Sequence, residues 1–122
     1  MPEHENLDYV EFATKDVAAS KSFFTTAFDW KFTDYGPDYT AFARSDAGLD
    51  GGFFKSDKAA STELGSALVI FYSSDLESTL AKVEDAGGTV VKPTFSFPGG
   101  RRFEFVEPGG NQLAVWSDQG LE

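Results

Sequence analysis

The segment Tyr9-Val-Glu-Phe-Ala-Thr-Lys-Asp-Val-Ala-Ala-Ser20 returns later in the chain as Leu68-Val-Ile-Phe-Tyr-Ser-Ser-Asp-Leu-Glu-Ser-Thr79. The constant offset of 59 residues pairs Val10 with Val69, Phe12 with Phe71 and Asp16 with Asp75. Such a repeat constrains the fold strongly, because the chain must build one supersecondary unit twice and bury both copies together. Each copy opens with a β-rich stretch of branched and aromatic residues that ends at a polar turn, with an Asp placed to cap a helix.

The helix expected in the first copy carries Val17, Ser20, Phe24, Ala27 and Phe28 on one face. The second carries Leu76, Leu80, Val83 and Ala86, both at the 3–4 spacing of an amphipathic helix. Gly87-Gly88 ends the second helix as a glycine cap would. Three short strands are expected after each helix: Lys31–Thr33, Thr40–Ser45 and Leu49–Phe54, then Thr89–Val91, Arg102–Glu107 and Asn111–Ser117. Tyr35-Gly-Pro-Asp38, Asp46-Ala-Gly48, Pro98-Gly-Gly100 and Glu107-Pro-Gly-Gly110 supply the turns between them. Pro98-Gly-Gly100 reads as a hairpin turn, with a mobile flap as the alternative. Lys55–Gly65 is polar and small, hence a linker of about eleven residues able to span roughly 36 Å. The whole of 1–122 is then one domain made of modules at about 7–54 and 66–117, each β-α-β-β-β. The expected fold class is α+β, a curved, cup-shaped mixed sheet with helices on its convex face.

Strand alternation assigns the faces. Val10 and Phe12 belong under the first helix, with Tyr9, Glu11 and Ala13 opposite. Val69 and Phe71 repeat that arrangement, leaving Leu68, Ile70 and Tyr72 on the other side. In the last strand Leu113 and Val115 are core residues, so Gln112, Ala114 and Trp116 share the cup face, the natural place for a ligand.

Thirteen Phe, four Tyr and two Trp give this chain much apolar surface to bury, against itself, a ligand or a second copy. Ten Lys and Arg against twenty Asp and Glu leave a net charge of −10, which argues against nucleic acid and for a solvated surface or a cationic ligand. With no Cys, disulfides and thiol chemistry are excluded. No apolar run approaches the roughly 20 residues of a spanning helix, so no membrane is expected. The polar, acidic start is unlike a secretory signal, and the expected location is cytoplasmic.

At two places the residues resemble a known family. Val10-Glu-Phe-Ala-Thr-Lys-Asp-Val-Ala-Ala-Ser-Lys-Ser-Phe-Phe24 with Ala27-Phe-Asp-Trp-Lys-Phe32, and Phe105-Val-Glu-Pro-Gly-Gly-Asn-Gln-Leu113, resemble the opening and closing motifs of the vicinal oxygen chelate superfamily, which includes glyoxalases, bleomycin-resistance proteins and dioxygenases. That resemblance covers about residues 7 to 117. It implies a divalent metal held by His, Glu or Gln on the concave strands. Carried onto this chain, those positions fall on Tyr9, on Leu68, on Ala114 and near Gly51 or Gly52, where Asp50 is the nearby oxygen donor. Leu68 and Ala114 cannot ligate, and the one His, His4, lies near the terminus. No metal and no cofactor are therefore expected, Glu11 with Glu104 being the only relocated pair available.

Chemistry without a metal rests on few groups. Glu11 is the candidate catalytic residue, a partly buried general base, or else a carboxylate paired with Arg44, Arg101 or Arg102. Arg101-Arg102 could grip an anionic group or be solvated loop charge. Tyr72 and Trp116 could stack on a planar or cationic ligand, fill the cup or face a second subunit. Tyr9, Glu11, Tyr72, Arg102, Glu104, Gln112 and Trp116 make up the expected ligand-binding set. The leading reading is a metal-independent small-molecule-binding protein, resembling the antibiotic-sequestering branch of the superfamily, whose pocket forms in a homodimer. The alternatives are a glyoxalase-type lyase, isomerase or dioxygenase with shifted ligands or with Glu11 as acid–base group, and a dimerisation module with a filled cup.

Overall fold

A computed structural model describes residues 2–120. Its elements run β1 (Tyr9–Thr14), α1 (Val17–Phe28), β2 (Phe32–Asp34), β3 (Tyr39–Phe42), α2 (Arg44–Ala47) and β4 (Asp50–Lys55). After a 3₁₀ turn at Thr62–Leu64 come β5 (Val69–Tyr72), α3 (Leu76–Asp85), β6 (Thr89–Phe97), β7 (Gly100–Val106) and β8 (Gln112–Ser117).

The repeated Asp starts both main helices. Asp16 is extended and its carboxylate accepts the Ala19 N–H at 3.0 Å, while Asp75 accepts the Ser78 N–H at 3.2 Å, each satisfying a backbone donor that the first helical turn leaves free. The end of α1 is set by Asp29 in the left-handed region at φ 58°. That reversal brings Trp30 back onto the helix, where its ring stacks on Phe24 with centroids 4.8 Å apart.

Each module makes a four-stranded mixed sheet of identical topology, ordered β1-β4-β3-β2 in the first and β5-β8-β7-β6 in the second. β1 pairs with β4 and β5 with β8 in parallel, and the remaining pairs are antiparallel. The register sets Glu11 beside Gly52 and Ile70 beside Ala114. One core serves both modules. Phe12 and Phe24 stack on Phe53 with centroids 5.2 and 5.3 Å apart, and Phe24 reaches Phe71 of the second module at 6.3 Å. Phe23, absent from the face expected for α1, is almost wholly buried and lies 5.7 Å from Phe105. Leu76 and Val83 of α3 complete the cluster with Leu113 and Val115.

The alternation expected along β1 and β5 holds, with Phe12 buried and Tyr9, Glu11, Ile70 and Tyr72 exposed on the other face, whereas in β8 Ala114, expected on the cup face, is as buried as Leu113 and Val115. Most strand boundaries fall within one or two residues of expectation, and two elements differ by more. The strand expected to run from Thr40 to Ser45 ends at Phe42, and Arg44–Ala47 form the helical turn α2. Asp50 is the cause, since it accepts the Arg44 backbone N–H at 2.7 Å and its Nε–H at 3.1 Å and so closes the segment locally. β6 runs to Phe97, well past Val91, because it is an edge strand in which Pro93 and two register shifts are tolerated. Pro98-Gly99 form a tight turn between the paired Phe97 and Gly100, Gly99 taking φ 99°.

Candidate ligand-binding cup

β1 and β5, one edge strand of each sheet, face each other across a seam. Their residues jointly line an apolar recess of about 390 Å³ with Leu7, Tyr9 and Ile70 at its mouth, and another of about 350 Å³ beside Glu11 and Ala13. The larger recess reaches between the sheets to the core rings of Phe12, Trp30, Phe42 and Phe71, and the exposed faces of the two open sheets on either side of the seam make up the cup.

On the first-module side, the ring of Tyr39 lies against the backbone of Gly52, where any Cβ would collide with it. This close approach is what a glycine inside a strand permits. Its hydroxyl donates to Glu11 Oε2 at 3.0 Å and is hydrogen-bonded to the Tyr9 hydroxyl. Burial, then those two contacts, raise the Tyr39 phenol above its ordinary value, so it stays a proton donor. Glu11 is exposed rather than partly buried, and its partner is Tyr39 rather than an arginine. All three candidate arginines are held elsewhere: Arg44 by Asp8 and Asp50, Arg101 by Glu77, Arg102 by Glu104.

On the second-module side, Glu104 is buried to 7% exposure, yet each carboxylate oxygen is met. Arg102 donates to Oε2 and Gln112 Nε2 donates to Oε1, both at 3.1 Å. Gln112 turns its carbonyl oxygen to the linker, accepting from the Thr62 N–H at 2.9 Å. The Arg102 guanidinium also lies 5.2 Å above the Phe95 ring. Tyr72 meets Trp116 edge to face at 5.3 Å and donates its hydroxyl to Asp118 at 2.6 Å. Trp116, Ile70, Phe97 and Arg102 line a further recess of about 310 Å³.

The structure thus brings Tyr9 with Glu11 and Arg102 with Glu104 and Gln112 into two polar clusters, with Tyr72 and Trp116 as an aromatic pair on the second sheet. Sequence reasoning missed Tyr39, which looked like a residue at the edge of a turn. Its signal was the Gly51-Gly52 pair inside a strand, which marks a place where something packs against the backbone.

The profile of the Glyoxalase/Bleomycin resistance protein/Dioxygenase superfamily matches residues 6–115. The chain belongs to this superfamily. Among solved structures of the same fold is a glyoxalase/bleomycin resistance protein/dioxygenase family enzyme from Burkholderia phytofirmans PsJN, at TM-score 0.73 and 15% identity, covering 92% of this chain and 98% of that one. A glyoxalase-related enzyme from Fulvimarina pelagi gives 0.72 at 14% identity, with 93% and 88% covered. A possible glyoxalase from Bacillus cereus gives 0.70 at 17% identity, with 91% and 97% covered. No curated protein matches the sequence.

The metal that the superfamily implies does not fit the residues found here. Ala114 is buried with no donor atom, Leu68 is aliphatic, and the Gly52 backbone lies beneath Tyr39. Among the described residues no three of His, Cys, Asp or Glu gather closely enough to hold an ion. Among those residues, too, no helix is long and apolar enough to cross a membrane.

Proposed function

We propose that this superfamily member is a metal-independent small-molecule-binding protein whose cup takes a planar, neutral or cationic ligand and is closed by a second copy of the chain. The observation that carries the reading is the make-up of the cup face. Aromatic rings, with Tyr72 and Tyr9 exposed to 52% and 47%, flank carboxylates already held in place by Tyr39, Arg102 and Gln112. Such a surface offers stacking area and fixed hydrogen-bond acceptors without ordering flexible groups, which is what binding by enclosure needs. The acidity of the chain favours a cationic guest over an anionic one. Exposed Leu7, Tyr9, Ile70 and Tyr72 at the rim form an apolar band suited to a second protomer.

Screening planar amines and uncharged heteroaromatics by amide chemical shifts, in the presence of chelator, tests this function. Binders are expected to shift Glu11, Gln112 and Trp116, and Trp116→Ala should weaken them about tenfold, as loss of one stacking partner does. A library in which no compound moves those residues would count against it. The Tyr39 to Glu11 hydrogen bond favours a second reading, acid–base chemistry with Glu11 as base and Tyr39 as donor. Turnover of any cup ligand, abolished in Glu11→Gln, would place that reading first.

A further inference from the structure

The duplication extends to a hydrogen-bonded relay behind the strands. In the first module the Asp16 N–H donates to Thr14 Oγ1 at 3.2 Å, the Thr14 and Ser20 hydroxyls are 2.7 Å apart, and Ser20 Oγ donates to the Glu107 carboxylate at 2.8–2.9 Å. The second module repeats the relay at the same offset. The Asp75 N–H donates to Ser73 Oγ at 3.0 Å, and the Ser73 and Thr79 hydroxyls are 2.7 Å apart.

What closes the two relays differs. The sheet registers align Phe42 and Gly51 with Phe105 and Leu113, so the β3–β4 connection is the counterpart of the β7–β8 turn. The β7–β8 turn carries Glu107 inward, with Gly109 packed so tightly on Thr14 and Ser20 that a Cβ would overlap both hydroxyls. The β3–β4 connection instead coils into α2, and Arg44 turns toward Asp8 and Asp50. Beside Ser73 and Thr79 this leaves a cavity of about 510 Å³, walled by Phe28, Trp30 and Phe71, with Lys82 one α3 turn beyond Thr79. Asp46 also lines it, its carboxylate accepting the Lys31 N–H at 3.0 Å. Either hydroxyl of the Ser73–Thr79 pair can donate to the other, and with Ser73 as the donor the Thr79 proton is turned to a guest, as Ser20 gives its proton to Glu107. Among the described residues Lys82 forms no ion pair.

We propose that this cavity binds a small carboxylic acid, the Thr79 hydroxyl and Lys82 ammonium holding the carboxylate while Phe28, Trp30 and Phe71 enclose the apolar body. The bound acid stands where the Glu107 carboxylate stands in the first module. Lys82 supplies the charge that a free ligand needs and a tethered side chain does not. The site lies along the β5–α3 edge, away from Glu11, Glu104 and Gln112, and adjoins the cup face at Ile70 and Tyr72, so shifts at Ser73, Thr79 and Lys82 distinguish it from the cup.

Titration with phenylacetate and with phenylacetamide, read by amide chemical shifts and by Trp30 fluorescence in Trp116→Phe protein, tests the site. Phenylacetate is expected to shift Ser73, Thr79 and Lys82 and to change Trp30 emission, the amide binding about tenfold more weakly or worse. Thr79→Val and Lys82→Met should each weaken phenylacetate about tenfold. Lys82→Met changes an exposed helix position and so remains informative if Thr79→Val unfolds. Equal binding of acid and amide, shifts confined to the cup, no response at about 10 mM acid, or unchanged affinity in Lys82→Met would overturn the proposal.

Discussion

Glu107 shows how much a single side chain can decide. It is 1% exposed and accepts hydrogen bonds from Ser20, from the Gly109 N–H at 2.5 Å and from Asn111 Nδ2 at 2.7 Å, tying α1 of one module to the closing turn of the other. Glu107→Ala leaves three buried donors unmet and is expected to cost about 2–4 kcal/mol in urea denaturation. Glu107→Gln sets an amide NH₂ against one of those N–H donors, so it too destabilises. Burial raises the Glu107 carboxyl above its ordinary value of 4.5, outweighing the lowering pull of Asn111, Gly109 and Ser20. A raised folded-state value gives stability that is complete below the unfolded-state value and is lost as pH rises through the folded one. The stability gap between native protein and Glu107→Gln is therefore expected to narrow as pH rises from below the ordinary carboxylate range through the raised value. A gap that widens over that range would contradict the assignment. In the cup, Gly52→Ala is expected to displace the Tyr39 ring and release Glu11 and, because its Cβ would also meet the Thr40 carbonyl oxygen at 2.8 Å, to strain the β3–β4 pairing, visible as a changed Tyr39 side-chain resonance together with a lowered Tm.

Among the elements, the helices were the most legible, because their caps and their 3–4 spacing are both local signals. Asp16→Ala and Asp75→Ala should each cost about 1 kcal/mol, since each removes the same N-cap contact. Phe23 was not legible as core, because helix spacing placed it at the margin of the apolar stripe. It is buried because α1 touches two sheets and so needs a wider apolar face than a helix lying on one. Phe23→Ala is expected to cost about 3–5 kcal/mol by thermal or chemical denaturation. A loss below about 1 kcal/mol would mean that Phe23 does not join the modules. The α2 turn could not be read from Ala43 to Ala47 alone. Asp50, six residues from Arg44, closes it through contacts that have no periodicity.

At the level of the whole molecule, the repeat at offset 59 revealed two modules, while the register of β1 on β4 and of β5 on β8 turned that repeat into a cup. The cup's side-chain partners were less visible, because Tyr39 meets Glu11 from a strand 28 residues away, and the Glu104–Gln112 pair depends on the cross-strand register of the β7–β8 hairpin. The apolar rim is expected to be covered in solution, so sedimentation should show a dimer that Ile70→Asp with Tyr72→Asp converts to monomer. A native monomer at high concentration would remove the second copy from the proposed function and leave an open cup. The most direct test of metal independence is calorimetric titration of chelator-treated protein with Mn²⁺, Ni²⁺, Zn²⁺ and Fe²⁺, cup ligand present and absent. With Ala114 and Leu68 at ligand positions, no stoichiometric binding is expected and ligand affinity should be unchanged by any of the four ions. One ion bound per chain, tightening the ligand, would contradict the central claim and make this protein a metalloenzyme with relocated ligands.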